Sequence, residues 1–249
     1  MTRNSSLFRI TLALLAALLL TGPAAAQQSG MLYRATLLQA APGQLLNLIE
    51  ACKTKQQTDL KAGDEPSLMM RHSQGDKWDL LLLTPMESYS LYYQPGRIQS
   101  RENYAASERA LTKASGLVAW REDVFVYGPP LDDLRKAFDS GAFFHVEMME
   151  ALPGLTVGLR REREMENIYS RELKRPENFI FVRDQGAAWD IFTIGVYRDI
   201  KHYAEAADIP VKLQEEAAKK AGFDSPSAIG PYLRTLISSH HDTLAVAVR

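Results

Sequence analysis

The sequence predicts an α+β chain made of two tandem copies of one βαββαβ unit, closed against each other into a single pseudo-symmetric barrel. Three observations carry this expectation. The chain aligns with itself at a shift of 111 positions, strand-like alternation recurs in both halves, and each half orders its segments as strand, helix, strand, strand, helix, strand. Under the shift Ala40, Pro42 and Gly43 meet Ala151, Pro153 and Gly154, and Leu48 meets Leu159. Gln74, Gly75, Trp78 and Asp79 meet Gln185, Gly186, Trp189 and Asp190, and Tyr92 meets Tyr203. These identities cluster in two short patterns, Ala-x-Pro-Gly and Gln-Gly-x-x-Trp-Asp, and a residue as rare as Trp recurs inside one of them.

The N-terminal stretch reads as an address. Arg3 and Arg9 precede an apolar run, Ile10 to Leu20, followed by Thr21-Gly22-Pro23 and the small residues Ala24 and Ala26. This is the pattern of a secretory signal peptide over residues 1–26. The run is roughly half of the ~20 residues a membrane span needs. The mature chain is therefore expected in the periplasm or outside the cell, with no stable membrane insertion after cleavage.

The first unit is expected over 27–127. Tyr33 to Gln39 alternate as a strand, and Pro42-Gly43 break it ahead of a helix of about five turns. Leu68 to His72 and Trp78 to Leu83 form a hairpin around Gln74-Gly75. A helical region near Tyr104 to Ala114 and a strand from Trp120 to Tyr127 close the unit. A linker over 128–141 leads to the second unit, 142–249, with its strand at Phe144 to Glu150 and hairpin at Phe179 to Arg183 and Trp189 to Val196. Helix Val211 to Ala221, preceded by Tyr203 to Ala207, and a strand from Asp242 to Val248 complete it, displaced by an insertion around Asp208 to Pro231.

Composition sets the outer bounds. The 249 residues are 46% hydrophobic and 24% charged with a formal net charge of −1, an ordinary globular profile. No basic stripe marks a nucleic-acid partner. The single cysteine, Cys52, rules out an internal disulfide or a Cys-rich zinc cluster. It shares an i, i+3, i+4, i+7 stripe with Leu45, Leu48 and Ile49 and is expected as a small buried hydrophobe. His-Glu-x-x-His, glycine-rich phosphate loops and Gly-x-Ser-x-Gly are missing, which removes the usual support for zincin, nucleotide-binding and serine-hydrolase activities.

The element order is the ferredoxin-like one, and two copies in one chain resemble a fused member of the dimeric α+β barrel superfamily. That resemblance covers nearly the whole mature chain. It implies kinship with cofactor-free monooxygenases, haem-handling enzymes, and EthD-like and NIPSNAP-like proteins, and it constrains fold far more than reaction.

Alternation also suggests a site. On the first strand Tyr33, Ala35 and Leu37 oppose Arg34, Thr36 and Leu38; on its duplicate Phe144, Val146 and Met148 oppose His145, Glu147 and Met149. The apolar sides are expected to meet the helices and the mixed sides to face each other across the interior, forming a partly polar inter-sheet cavity in which Arg34 opposite Glu147 makes a salt bridge. His145 and Glu147 project to one side and are the candidate acid/base pair or, alternatively, two metal ligands, with a satisfied hydrogen-bonding pair the commoner outcome than a metal site. Arg34, Thr36, His72, Trp78, Arg183, Trp189 and His241 are the candidate ligand-binding residues. Trp78 and Trp189 read more readily as core, and Asp79 and Asp190 as turn or arginine partners. His240 and His241 are neighbours that strand alternation sends to opposite faces, so no shared ion is assigned to them and no metal site is expected. Arg160 to Glu166 reads as a solvated helix face with pairs such as Arg160 with Glu164.

The expected activity is binding of a small, partly apolar molecule in the inter-sheet cavity. A cofactor-free monooxygenase-like or haem-handling enzyme and a protein-interaction module are the alternatives. The sequence fixes neither a cofactor nor an oligomeric state, and it does not choose a haem ligand among the five histidines.

Overall fold

A computed structural model describes residues 30–249 of the chain. The expected signal peptide lies outside the described residues. Eight antiparallel strands close a barrel: β1 Met31–Ala40, β2 Leu68–Gln74, β3 Leu80–Glu87, β4 Val118–Gly128, β5 Phe143–Ala151, β6 Phe179–Gln185, β7 Ile191–Tyr197 and β8 Ile237–Ala247. Around the barrel the order is β1-β3-β2-β8-β5-β7-β6-β4. Each half contributes the ferredoxin-like order 4-1-3-2, and the halves join where β2 pairs with β8 and β4 with β6. Every strand is paired on both sides, so no edge is left open.

The duplication extends to hydrogen bonds. Asp79 Oδ2 accepts from the Ala40 N–H at 2.7 Å, and its equivalent Asp190 Oδ2 accepts from the Ala151 N–H at 2.9 Å. Both aspartates thus clasp the end of their unit's first strand, and Asp190 also pairs with Arg183. Gly75 and Gly186 turn the two hairpins at φ 129° and 87°, each against the other unit's strand. A Cβ at Gly75 would lie 2.2 Å from the Asp242 carbonyl oxygen, and one at Gly186 would lie 2.7 Å from that of Asp123. Only glycine meets both demands.

The barrel interior is apolar, which reverses the expected orientation of the sheets. Tyr33, Ala35 and Leu37 of β1 form one buried cluster with Phe144, Val146 and Met148 of β5, and all eight strands contribute to it. Arg34, Thr36, His145 and Glu147 consequently face outward, beneath the helices. Physically, closing eight strands leaves an interior just wide enough for side chains to fill, and filling it with the apolar parity avoids burying charges where no partner can reach. The expected cavity between polar sheet faces, and the Arg34–Glu147 bridge across it, do not form.

Helices cover the outer faces. In the first unit these are α1 Leu45–Ala62 and three short helices, α2 Tyr89–Tyr92, α3 Pro95–Glu102 and α4 Ala105–Ala110. Leu48, Ile49 and Cys52 of α1 pack on Leu38, Met69, Leu80 and Leu82. Cys52 is fully buried, and desolvation pushes its thiol up to about 12, so it is an inert hydrophobe as expected. Residues 128–141 contain helix α5, Leu131–Ser140, whose Leu134 and Phe138 enter the barrel cluster. The second unit has α6 Thr156–Glu172, α7 Ile200–Ala204, α8 Val211–Ala221 and α9 Pro226–Arg234. No helix of the described residues is long and apolar enough to cross a membrane.

One strand boundary and one helix face differ from expectation. Strand β8 starts at Ile237 rather than Asp242 and therefore contains both histidines. In α6, Arg160 and Glu164 do pair on the surface at 3.1 Å, but Glu162 and Arg163 are buried at 0% and 1% exposure, so this helix face is not simply solvated. The packed interior makes a direct prediction. Phe144→Ala should lower unfolding stability in urea by about 3–5 kcal/mol; a loss below about 1 kcal/mol would mean the barrel is not filled as described.

Candidate functional site

Three polar regions contain all the residues singled out from the sequence. The first lies on the outer face of the first unit. Arg34 on β1 forms the floor of a cavity of about 390 Å³ between the sheet, α1 and the short helices α2 to α4. Lys55 and Asp59 of α1 form one wall and Glu108 of α4 another, while Tyr92, Tyr93, Tyr104 and Ile98 supply apolar surface. The Arg34 side chain is 19% exposed, yet its nearest carboxylates, Glu108 and Asp123, are both 3.9 Å away. That is beyond hydrogen-bond reach, and Arg34 Nε, buried, has no partner.

Its neighbours are better satisfied. Arg121 donates to Asp123 at 2.7 Å and to Glu108 at 2.9 Å, and Thr36 donates to Asp123 at 2.6 Å. Thr36 therefore supports Asp123 and does not line the cavity. Burial pushes the Glu108 carboxyl up, but Arg34, Lys55 and Arg121 together hold it below its ordinary value. Asp59 goes the other way: burial raises its carboxyl despite Lys55, and Asp59 Oδ2 has no partner. A partly exposed guanidinium with no carboxylate in hydrogen-bond range and a perturbed carboxyl lining one concave site form a combination that marks functional pockets. Asp59, Lys55 and Glu108 were not legible as site residues in the sequence; their helical positions are ordinary until the fold sets them over Arg34.

The second region is its counterpart on the second unit. Thr36 pairs with Asp123 across β1 and β4, and Glu147 pairs with Asp242 across β5 and β8. Arg34, Thr36, Arg121 and Asp123 thus correspond to His145, Glu147, His240 and Asp242. His145 and Glu147 do share a side, as expected of i, i+2 positions on a strand. His145 Nε2 lies 3.1 Å from Asp242 Oδ1, and His240 Nε2 lies 3.3 Å from Glu147 Oε1 and 3.4 Å from Asp242 Oδ1. Glu147 Oε2 is held on its other side by Arg163 at 3.3 Å and Thr193 at 3.1 Å. Burial raises the Glu147 carboxyl, but His240, Arg163 and His145 bring it below its ordinary value. Hydrogen bonds to Asp242 and Glu147 hold the His240 imidazole up, at about 9. His240, rather than His241, belongs to this cluster.

The third region is one end of the barrel, where a cavity of about 270 Å³ is lined by Trp120, Trp189, Lys77 and His241 over Leu37 and Met148. Trp78 and Trp189 both pack into the interior cluster at this end, consistent with their core role, and their indole N–H groups find no partner. His72 lies against Trp78 with ring centroids 5.9 Å apart and planes tilted by 60°, and Arg183 pairs with Asp190. His241 points here, 3.7 Å from Asp76. The structure therefore divides the expected single site: Arg34 serves one region, His145 and Glu147 a second, and Trp189 and His241 a third.

Arg163 also governs a pH-dependent contribution. Its guanidinium contacts Glu162 at 2.6 Å and Glu166 at 2.7 Å as well as Glu147. Burial raises the Glu166 carboxyl to about 8 against the pull of Arg163. A folded-state value above the ordinary one gives stability that is complete below about 4.5 and is lost as pH rises through about 8. Urea unfolding between pH 5 and pH 9 should show this decline, and Glu166→Gln should flatten it. Superimposable pH profiles for the two proteins would refute the assignment.

Among known proteins, no protein-family model matches the chain, and no curated protein sequence matches it. Solved structures do. An anthrone oxidase-like protein superposes with a TM-score of 0.51 at 9% identity, covering 90% of this chain and 93% of its own. Proposed monooxygenases from Lactobacillus acidophilus NCFM and Fusobacterium nucleatum also give 0.51, at 8% and 10% identity. They cover 88% and 89% of this chain and 94% of their own chains in both cases. Identities this low speak to architecture alone. By that measure the chain has the dimeric α+β barrel fold, with both ferredoxin-like units in one polypeptide.

Proposed function

We propose that this protein binds a small organic anion with an apolar or aromatic body in the Arg34 cleft of its first unit. The observation that carries the reading is the partly exposed Arg34 guanidinium at the floor of a tyrosine-lined cavity, with its nearest carboxylates, Glu108 and Asp123, 3.9 Å away. A carboxylate or phenolate seated there offers the exposed part of the guanidinium a charge-assisted hydrogen bond, and bonds of this type are the strong ones. Tyr92, Tyr93, Tyr104 and Ile98 then receive the rest of the molecule. This keeps the expected ligand class and moves its place from between the sheets to between sheet and helices.

An enzymatic reading draws on Asp59, whose raised carboxyl in the same cleft is suited to exchanging a proton with a bound ligand. Among the structural neighbours, similar in fold only, one is named anthrone oxidase-like and another a monooxygenase. The His145–Glu147 pair lies on the other unit and does not serve this cleft. The lining of the cleft offers no His, Cys or Met as a haem axial ligand, and Tyr92, one of its three tyrosines, lies beneath Arg101 at 3.8 Å.

Titration calorimetry with benzoate, salicylate and 1-naphthoate tests the reading. At least one should bind, its neutral alcohol analogue should bind more weakly, and Arg34→Met should cost roughly tenfold to a hundredfold in affinity. Equal affinity for acid and alcohol, or for wild type and Arg34→Met, would overturn it. We propose further that the chain works after export; N-terminal sequencing of the periplasmic or secreted protein should then begin at Gln27.

A further inference from the structure

We propose that the second unit carries a site for a divalent transition-metal ion, with His145, Glu147 and Asp242 as its protein ligands. One donor atom from each of these residues lies within 4.8 Å of the other two. The His145 Nε2 to Asp242 Oδ1 separation of 3.1 Å is close to the ~3.4 Å expected between atoms each bonded at about 2.1 Å to a tetrahedral ion. The ligands come from directly paired strands, since Glu147 and Asp242 are partners across β5 and β8 and His145 sits two residues along. A site on a closed barrel needs little rearrangement to bind.

Charge points the same way. Arg163 is the one guanidinium in contact with Glu147, and it also serves Glu162, which is fully buried with Oε1 unpartnered. Asp242 faces only the imidazoles of His145 and His240 among the described residues. Around the cluster three carboxylates, Glu147, Asp242 and Glu162, face one permanent cation, Arg163, and the two imidazoles of His145 and His240. Orientation is already set: Arg163 and Thr193 hold Glu147 Oε2, which leaves Oε1 turned to the cluster. Supports of this kind fix metal ligands in place. Asp242, with its side chain 52% exposed, leaves a path from solvent.

The duplication supplies an internal comparison. At the equivalent positions the first unit has Arg34, Thr36 and Asp123, with Arg121 where the second has His240. A guanidinium cannot give up its proton to bind a metal, whereas a neutral imidazole is a good ligand. One imidazole with two carboxylates suits Zn2+, Mn2+ or Fe2+ better than the all-oxygen preference of Ca2+ or Mg2+. The proposal is independent of the Arg34 cleft.

Calorimetric titration of the full chain, stripped with EDTA, tests it with Zn2+ and Mn2+ as probes. We expect one equivalent bound, and a loss of at least about tenfold in affinity for His145→Ala and for Asp242→Asn. His241→Ala should bind as wild type, because that imidazole faces the barrel end. Circular dichroism establishes that the variants fold, and the visible spectrum of the Co2+ form should change in Asp242→Asn if that oxygen is a ligand. Failure of wild type to bind either ion, or undiminished binding by both ligand variants, would overturn the site.

Discussion

Closure of the eight-stranded barrel is the constraint on which everything else depends. Once β4 pairs with β1, the inner faces of all strands must fill one enclosed volume, and side chains such as Phe144, Phe181 and Phe192 fill it. Each fully buried large apolar side chain contributes about 1.5–3 kcal/mol. A charge placed there would lie among apolar groups with little chance of a partner. The polar parity of each strand is therefore driven outward, where helices cover it and their side chains supply counter-charges. The sites lie between sheet and helix for this reason.

Duplication then provides the same stage twice, and the residues on it have diverged in kind. Arg34 and Arg121 are permanent cations that donate and never accept, so the first unit favours an incoming anion. At the matching positions His145 and His240 either accept or donate, while Glu147 replaces Thr36 and adds a carboxylate. The common feature, Asp123 and Asp242, is held in each case by the basic groups next to it. One architecture thus carries different basic groups on its two outer faces.

Much of the fold was legible in the sequence because the repeat and the strand alternation are local signals. Ala-x-Pro-Gly and Gln-Gly-x-x-Trp-Asp mark turns whose geometry both units need, and they locate the hairpins and the first helix of each. Alternation establishes which residues share a side but not which side is inward, since both faces of these sheets are covered and β3 is buried at Leu80, Leu81, Leu82 and Leu83 alike. The candidate site inherited that ambiguity. Helices α2 and α3 were missed because they are short, four and eight residues, and the start of β8 was missed because Ser238-Ser239-His240-His241 reads as a loop. The burial of Glu162 and Arg163 follows from the placement of α6 over β5, which no local pattern encodes.

The same insertion that displaced β8 explains why the open cleft belongs to the first unit. Above β1 the covering segments are short, and α2 to α4 leave the space over Arg34 partly unfilled. In the second unit α8 lies against α6, with Ala218, Ala221 and Phe223 packed on Met165, Ile168 and Tyr169. Alanine at these positions lets the helices approach closely, and interiors tolerate few voids once such contact is made. Arg163 and Glu162 occupy the volume beneath, so the outer face of β5 holds fixed charges in place of a cavity. Space for an organic molecule and a rigid cluster of ligating groups are competing uses of the same layer, and the two halves of this chain have taken one each.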